Sequence, residues 1–270
     1  MTTHRRPASA SPVLDATELD RFHRLGYLIL PGFLPAELVN RMRSEVDRWV
    51  DDGLRAKSIA AAKDPETHGS PPVVELELPA HGELITHRPL MELLEALLGT
   101  EFVFHHLHSD RQAPDLPGKP WHHDYEQGEG SDRSPLMVHT LHYLDGLAED
   151  TASLVVLPGS HLEEAGKSAR AHLGTAVLPG EVVIDRLPPG STVVLHSALF
   201  HARRTKEGQS AKPRYFVDSS YCQTGTRWPP VKPYWRHILN RARELGLGDD
   251  RPELFAERHF TEFSAHGAMS

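Results

Sequence analysis

Apolar residues fall three and four apart in several segments of the first hundred residues, and two apart in short runs after that. In TELDRFHRLG, Leu19, Phe22 and Leu25 share one helical face, Thr17 stands as N-cap with Asp20 three residues on, and Gly26 stops the helix. YLILPGFL follows as a brief extended segment. Pro35 opens a second helix, whose positions Leu38, Met42, Val46 and Trp49 form one buried face. Residues 51–72 carry no sustained period and read as loop. VVELEL at 73–78 alternates apolar with acidic positions, as a half-exposed strand does. HRPLMELLEALLG at 87–99 is a third helix closed by Gly99.

Beyond Gly99 the chain becomes a series of short extended runs separated by Pro, Gly and Asp. They are EFVFHHLH, LMVHTLHYLD, SLVVLPG, EVVIDRL, STVVLHS and RYFVDSSYC. Strands so spaced build a sandwich or barrel. Helix returns at the C-terminal end, with Pro233 and Pro252 at first-turn positions and Trp235, Ile238, Leu239, Ala242 and Leu245 on one side. The expected class is α+β with a mainly β core: a jelly roll flanked by N- and C-terminal helices. Residues 1–14, small and polar, are expected to be a disordered tail, and residues 15–270 a single domain.

Composition narrows the function. Among 270 residues, 39% are apolar and 24% charged, and no run approaches the ~20 apolar residues of a membrane helix, so a soluble globular protein away from the membrane is expected. The first residues lack the apolar centre of a secretory signal, and Cys222 has no partner with which to form an internal disulfide. Both favour the cytoplasm. A net charge of −8, with the two signs interspersed, offers no basic stripe for nucleic acid.

With 19 histidines, a histidine alone means little, so context has to select. In PWHHDYEQ, residues 120–127, strand parity lets His122 and Asp124 reach one ion while His123 points away to pack. A third, distant histidine would complete a 2-His-1-carboxylate triad, which leaves open positions on ferrous iron. PPGSTVVLHSALFH offers His196 and His201. Their five-residue separation sends them to opposite faces if the strand runs on unbroken. Thirteen residues past His201, Arg214 supplies a guanidinium fork able to bind a carboxylate bidentately. The HHLH of His105, His106 and His108 reads as a polar edge without a matching carboxylate, and of His139 and His142 at most one can face a pocket. PGSH at 158–161 reads as a tight turn, with His161 outside the chemistry.

Four features in order, FHRLGYLILPGFLPAELV, WHHD, SLVVLPGSH, and PPGSTVVLHSALFH followed by Arg214, resemble the phytanoyl-CoA dioxygenase family of iron(II) and 2-oxoglutarate-dependent oxygenases across roughly residues 18–222. The resemblance implies a double-stranded β-helix, iron(II) on His122, Asp124 and His201, and Arg214 on the distal carboxylate of 2-oxoglutarate. It also selects His201 over His196. The implied partners are dioxygen and a small-molecule substrate, with succinate and carbon dioxide released. Asp124 stands where related halogenases carry a small residue, which favours hydroxylation or another oxidation over halogenation. Departures lie in the pocket walls: Ser153 where the family often has glycine, Leu141 near a frequent aromatic, and HARR around the second histidine. The alternatives are an inactive jelly-roll binding protein and a cupin-like metalloenzyme that does not use 2-oxoglutarate.

Overall fold

The computed structural model describes residues 14–127, 133–206, 208 and 212–264. The expected tail lies outside these residues except for Leu14, which is buried in the main core and therefore belongs to the folded chain. Helix α1 (Ala16–Leu25) is capped two residues earlier than its pattern predicts. Asp15 and Glu18 form a reciprocal capping box, so the stronger carboxylate cap displaces Thr17. After Gly26 come β1 (Tyr27–Leu30) and α2 (Ala36–Asp51), and the four predicted positions Leu38, Met42, Val46 and Trp49 are at most 2% exposed. Burying them contributes roughly 6–12 kcal/mol as an upper bound.

The segment from 51 to 85 departs most from its pattern. It holds α3 (Leu54–Lys63), α4 (Pro65–His68) and α5 (Pro79–Ile85), where loop and strand were expected. VVELEL is a short 3-10 turn rather than a strand. Glu75 is bound by Lys232 at 3.0 Å and Glu77 by Arg241 at 2.6 Å, so the acidic positions that mimicked a solvated strand face are ion-paired to the C-terminal region. α6 (Arg88–Leu98) matches its pattern and ends at Gly99.

The remaining strands are β2 (Phe102–Gln112), β3 (Lys119–His122), β4 (Met137–Tyr143), β5 (Ser153–Val156), β6 (Val182–Ile184), β7 (Ser191–His196), β8 (His201–Arg204) and β9 (Arg214–Gln223), followed by α7 (Trp235–Glu244). Pro252 opens no helix, and Leu245 is a 47% exposed C-cap rather than part of the buried face. Two antiparallel sheets result, ordered β1-β7-β4-β9-β2 and β3-β8-β5-β6, which make the jelly roll. Strands β3 and β8, four residues each, carry too little pattern to be read from the sequence. The helices close over the larger sheet and share its core. Among the described residues no helix is long and apolar enough to cross a membrane.

The PGSH turn is tied to α1 through Gly26. Gly26 has φ +82°, and a side-chain carbon there would come within 2.6 Å of the His161 Nδ1 atom. His161 Nε2 donates to the His23 carbonyl at 2.9 Å, so this histidine is structural glue for the turn.

Candidate active site

The two histidines brought together are cross-strand partners. β3 pairs with β8 so that His122 lies directly opposite His201, which sets the two imidazoles side by side with ring centroids 4.2 Å apart. β3 ends at His122, so strand parity does not deliver Asp124. Instead, the Asp124 N–H donates to the Ser197 carbonyl at 2.7 Å, and that bond turns the loop back towards the pair. Asp124 Oδ2 lies 3.2 Å from His201 Nε2 and Asp124 Oδ1 3.7 Å from His122 Nε2. The ligand atoms of all three residues fall within 4.8 Å of one another.

Whether this donor set suits a metal is decided by its protons. His122 Nδ1 donates to the Pro120 carbonyl at 2.7 Å and His201 Nδ1 to the Leu199 carbonyl at 3.0 Å. A carbonyl only accepts, so each Nδ1 carries a proton and a neutral ring then presents a bare Nε2 lone pair. The His122 Nε2 atom is buried without any hydrogen-bond partner. Burial, reinforced by His201, pushes the His122 imidazole down to about 3 and keeps it neutral. Burial works against the Asp124 carboxylate, but the charge and hydrogen bond that a protonated His201 Nε2 offers at 3.2 Å outweigh it and hold the group well below its ordinary range. Donors ~2.1 Å from a common ion sit roughly 3 Å apart when adjacent, close to the separations observed. An ion that displaces the proton between His201 and Asp124 would meet two imidazole Nε2 atoms and one carboxylate, a donor set that fits a divalent ion with positions to spare.

The other histidines go elsewhere. His123 is buried, donates from Nε2 to the Ala165 carbonyl at 2.9 Å, accepts from the Tyr125 N–H at Nδ1, and packs edge-on against Phe200. His196 ends β7, in the opposite sheet from His201. The chain leaves one sheet at Ser197 and enters the other at His201, so the unbroken strand that the sequence allowed does not exist. The His196 ring stacks between Phe22 and Tyr125 and meets His161. His142 is fully buried between Thr140 and Thr192, and His139 faces the interior.

His122, Asp124 and His201 open onto a cavity of about 380 Å³ between the sheets. Its far wall is the inner face of β2, β4 and β9. Register places His106, His108 and Gln112 of β2 opposite Ser220, Asp218 and Arg214 of β9, with alternate side chains facing inward. Arg214 lines the cavity, as expected, yet its fork is partly engaged. Nε and Nη2 donate to Gln112 Oε1 at 2.9 and 2.6 Å, and Nη1 to the Ala152 carbonyl at 3.1 Å. Two of its five N–H groups remain for a ligand. Burial lowers the Arg214 pKa, with Tyr143 and Asp110 opposing, but a guanidinium stays charged. Gln112, which holds this fork, and Arg203, two residues beyond His201 on the same face, were not legible as site residues.

His106, His139 and Asp218 form a second cluster with ligand atoms within 4.8 Å, on the same cavity wall. HHLH is therefore not an edge without a carboxylate: Asp218 supplies one to His106 from a strand over a hundred residues away.

A jelly roll that gathers a partly buried His/Asp/His group in one cavity with an inward-facing arginine is an architecture on which metal-dependent oxygenases are built. The model of the phytanoyl-CoA dioxygenase (PhyH) family matches residues 22–214, and the chain belongs to that family. It is 26% identical over 187 residues to the dioxygenase trt7 of Aspergillus terreus, covering 65% of this chain and 63% of that protein. It is also 26% identical over 168 residues to the ectoine dioxygenase of Bordetella bronchiseptica, covering 59% and 54%. The chain thus spans less than two thirds of the length of these curated relatives. Among solved structures, HygX from Streptomyces hygroscopicus with nickel and 2-oxoglutarate bound superposes with a TM-score of 0.59 at 20% identity, covering 81% of this chain and 90% of that one. EctD from S. alaskensis with 2-oxoglutarate and 5-hydroxyectoine gives a TM-score of 0.56 at 19% identity, covering 83% and 81%. These two likenesses bear on the fold.

Proposed function

We propose that the protein is an iron(II) and 2-oxoglutarate-dependent dioxygenase that hydroxylates an unactivated carbon of a small or medium organic molecule. His122, Asp124 and His201 would hold the metal, and Arg214 would pair with the distal carboxylate of 2-oxoglutarate. Iron(II) bound there supplies dioxygen activation coupled to oxidative decarboxylation of 2-oxoglutarate to succinate and carbon dioxide. The chain's own residues do the positioning. The Pro120 and Leu199 carbonyls fix which imidazole nitrogen is bare, the Ser197 carbonyl aims Asp124, and Gln112 locks the Arg214 side chain so that its remaining N–H pair is preorganised.

The observation that carries this reading is the convergence of two imidazole Nε2 atoms and one carboxylate in a cavity shared with Arg214. An inactive binding protein or a metalloenzyme independent of 2-oxoglutarate needs no half-buried guanidinium lining the same cavity as the donor set. Family membership supports the same activity. The single thiol, Cys222, is fully buried, which accords with the reducing cytoplasm in which we place the protein. The test is succinate release from 2-oxoglutarate in air, with and without iron(II), during a screen of small organic substrates. Iron-dependent succinate stimulated by at least one substrate is expected. Iron binding with no 2-oxoglutarate consumption under any condition would favour the cupin-like alternative.

A further inference from the structure

The second cluster shares the cavity but has its own hydrogen-bond logic. His139, on β4, is 3% exposed, and its Nδ1 lies 3.0 Å from both carboxylate oxygens of Asp218 on the neighbouring β9. Asp218 accepts from Nδ1, and a carboxylate set with both oxygens against one ring nitrogen stabilises the imidazolium, the form in which Nε2 carries a proton as well. The other nitrogen, Nε2, is buried and has no hydrogen-bond partner, although the residue lines the cavity. A buried ring nitrogen without a partner costs about 1–3 kcal/mol unless a ligand satisfies it. Burial opposes a second proton on this ring, but Asp218 outweighs it and raises the imidazole above its ordinary value. His106 adds to the same wall, held at Nδ1 by the Ser220 hydroxyl at 2.7 Å. Nothing in the triad or in the pairing of Arg214 uses these groups.

We propose that His139, oriented by Asp218, is the substrate-anchoring residue of this cavity, and that its Nε2–H binds a carboxylate or equivalent oxyanion of the primary substrate. This rests on the dioxygenase reading, which assigns the cosubstrate carboxylate to Arg214 and leaves His139 for the molecule that is oxidised. A cluster of two histidines and one carboxylate has the composition of a second metal site, but here both oxygens of Asp218 already face the protonated Nδ1. A donor for an anion suits that arrangement better than a ligand for a cation. The substrate class is therefore a small acid whose carboxylate is held at His139 while the carbon to be oxidised lies towards His122 and His201.

The test uses the full chain loaded anaerobically with iron(II) and saturated with 2-oxoglutarate, so that Arg214 is occupied. Calorimetry then measures matched acid and amide probes, phenylacetate against phenylacetamide and hexanoate against hexanamide. Wild type should prefer the acids by roughly ten- to a hundred-fold, the range of a charge-assisted hydrogen bond. His139→Phe should abolish that preference, with iron content and 2-oxoglutarate affinity within about twofold of wild type by the same criterion. His139→Gln, which keeps a donor, should restore part of it, and Asp218→Asn should reduce it if the Phe variant does not fold. Equal binding of acid and amide by wild type would overturn the proposal, as would an acid preference that survives in His139→Phe. Joint loss of 2-oxoglutarate affinity would overturn it by assigning His139 to the cosubstrate, and a second iron per chain lost in the variant by making the cluster a metal site. Failure of wild type to bind iron(II) and 2-oxoglutarate would sink the dioxygenase reading as well, and that failure appears before any probe is added.

Discussion

Arg214 and His123 show how far single residues could be read in advance. The fork at Arg214 was legible as a chemical type, whereas its hold on Gln112 and the Ala152 carbonyl depends on strand register that no local pattern carries. Lysine there would keep the charge and lose the geometry. Arg214→Lys is expected to weaken 2-oxoglutarate binding about ten- to a hundred-fold in calorimetry while leaving iron affinity unchanged, since ~1.5–3 kcal/mol is at stake. Equal loss of both would relocate the carboxylate site, with Arg203 the next candidate in the cavity. His123 was separated from His122 and Asp124 by parity, and the separation holds for a different reason. His123 Nε2 is bound to the Ala165 carbonyl, and Asp124 is brought round by the Ser197 carbonyl after the strand has ended. His123→Ala should therefore retain iron and lose roughly 1–3 kcal/mol of stability, whereas Asp124→Ala should lose iron. Metal analysis beside thermal unfolding separates the two effects.

Among elements, helices with a wide apolar stripe are legible in the sequence and those tied down by polar contacts are not. α2 and α6 announce themselves, while α3 and α5 are short, and α5 is secured by a network centred on Glu45. Both Glu45 oxygens accept from the Ala80 N–H, at 2.9 and 3.0 Å, and Oε2 also takes the His81 backbone N–H at 3.2 Å and faces His81 Nδ1 at 2.8 Å. The His81 Nε2 atom reaches the Ser109 hydroxyl of β2 at 2.9 Å. Three buried polar side chains thus pin α2, the first turn of α5 and β2 together, satisfying N–H groups that a helix start leaves open. Burial pushes the Glu45 carboxyl up, but His81 and the backbone donors outweigh it and hold it below its ordinary value. A carboxyl held low when folded contributes stability above the ordinary glutamate range and loses it as the pH falls through its folded-state value. Glu45→Gln should accordingly cost roughly 1.5–3 kcal/mol in denaturant unfolding at neutral pH, and the gap from wild type should narrow in acid. A gap independent of pH would mean that the carboxylate charge is not what anchors α5.

At the scale of the whole molecule, the site lies between two sheets, and its parts differ in how far they had to travel. His122 and Asp124 are local to one another, and His201 follows an apolar run that marks a strand, so the three residues of the candidate site that the fold brings together are legible from two short stretches. The facing wall is assembled from β2, β4 and β9, whose pairing joins His106, His139 and Asp218 across more than a hundred residues. No spacing rule reaches that far, which is why the second cluster emerges only from the fold. The choice between His196 and His201 turns on the same long-range topology, because the chain crosses from one sheet to the other between them. The most direct measurement is an anaerobic titration of the purified His196→Ala and His201→Ala variants with iron(II) and 2-oxoglutarate, reading bound iron and the visible charge-transfer band. His196→Ala should bind one iron per chain and develop the band despite losing ring contacts to Phe22, Tyr125 and His161, and His201→Ala should do neither. Iron and band retained by His201→Ala and lost from His196→Ala would contradict the site at its centre.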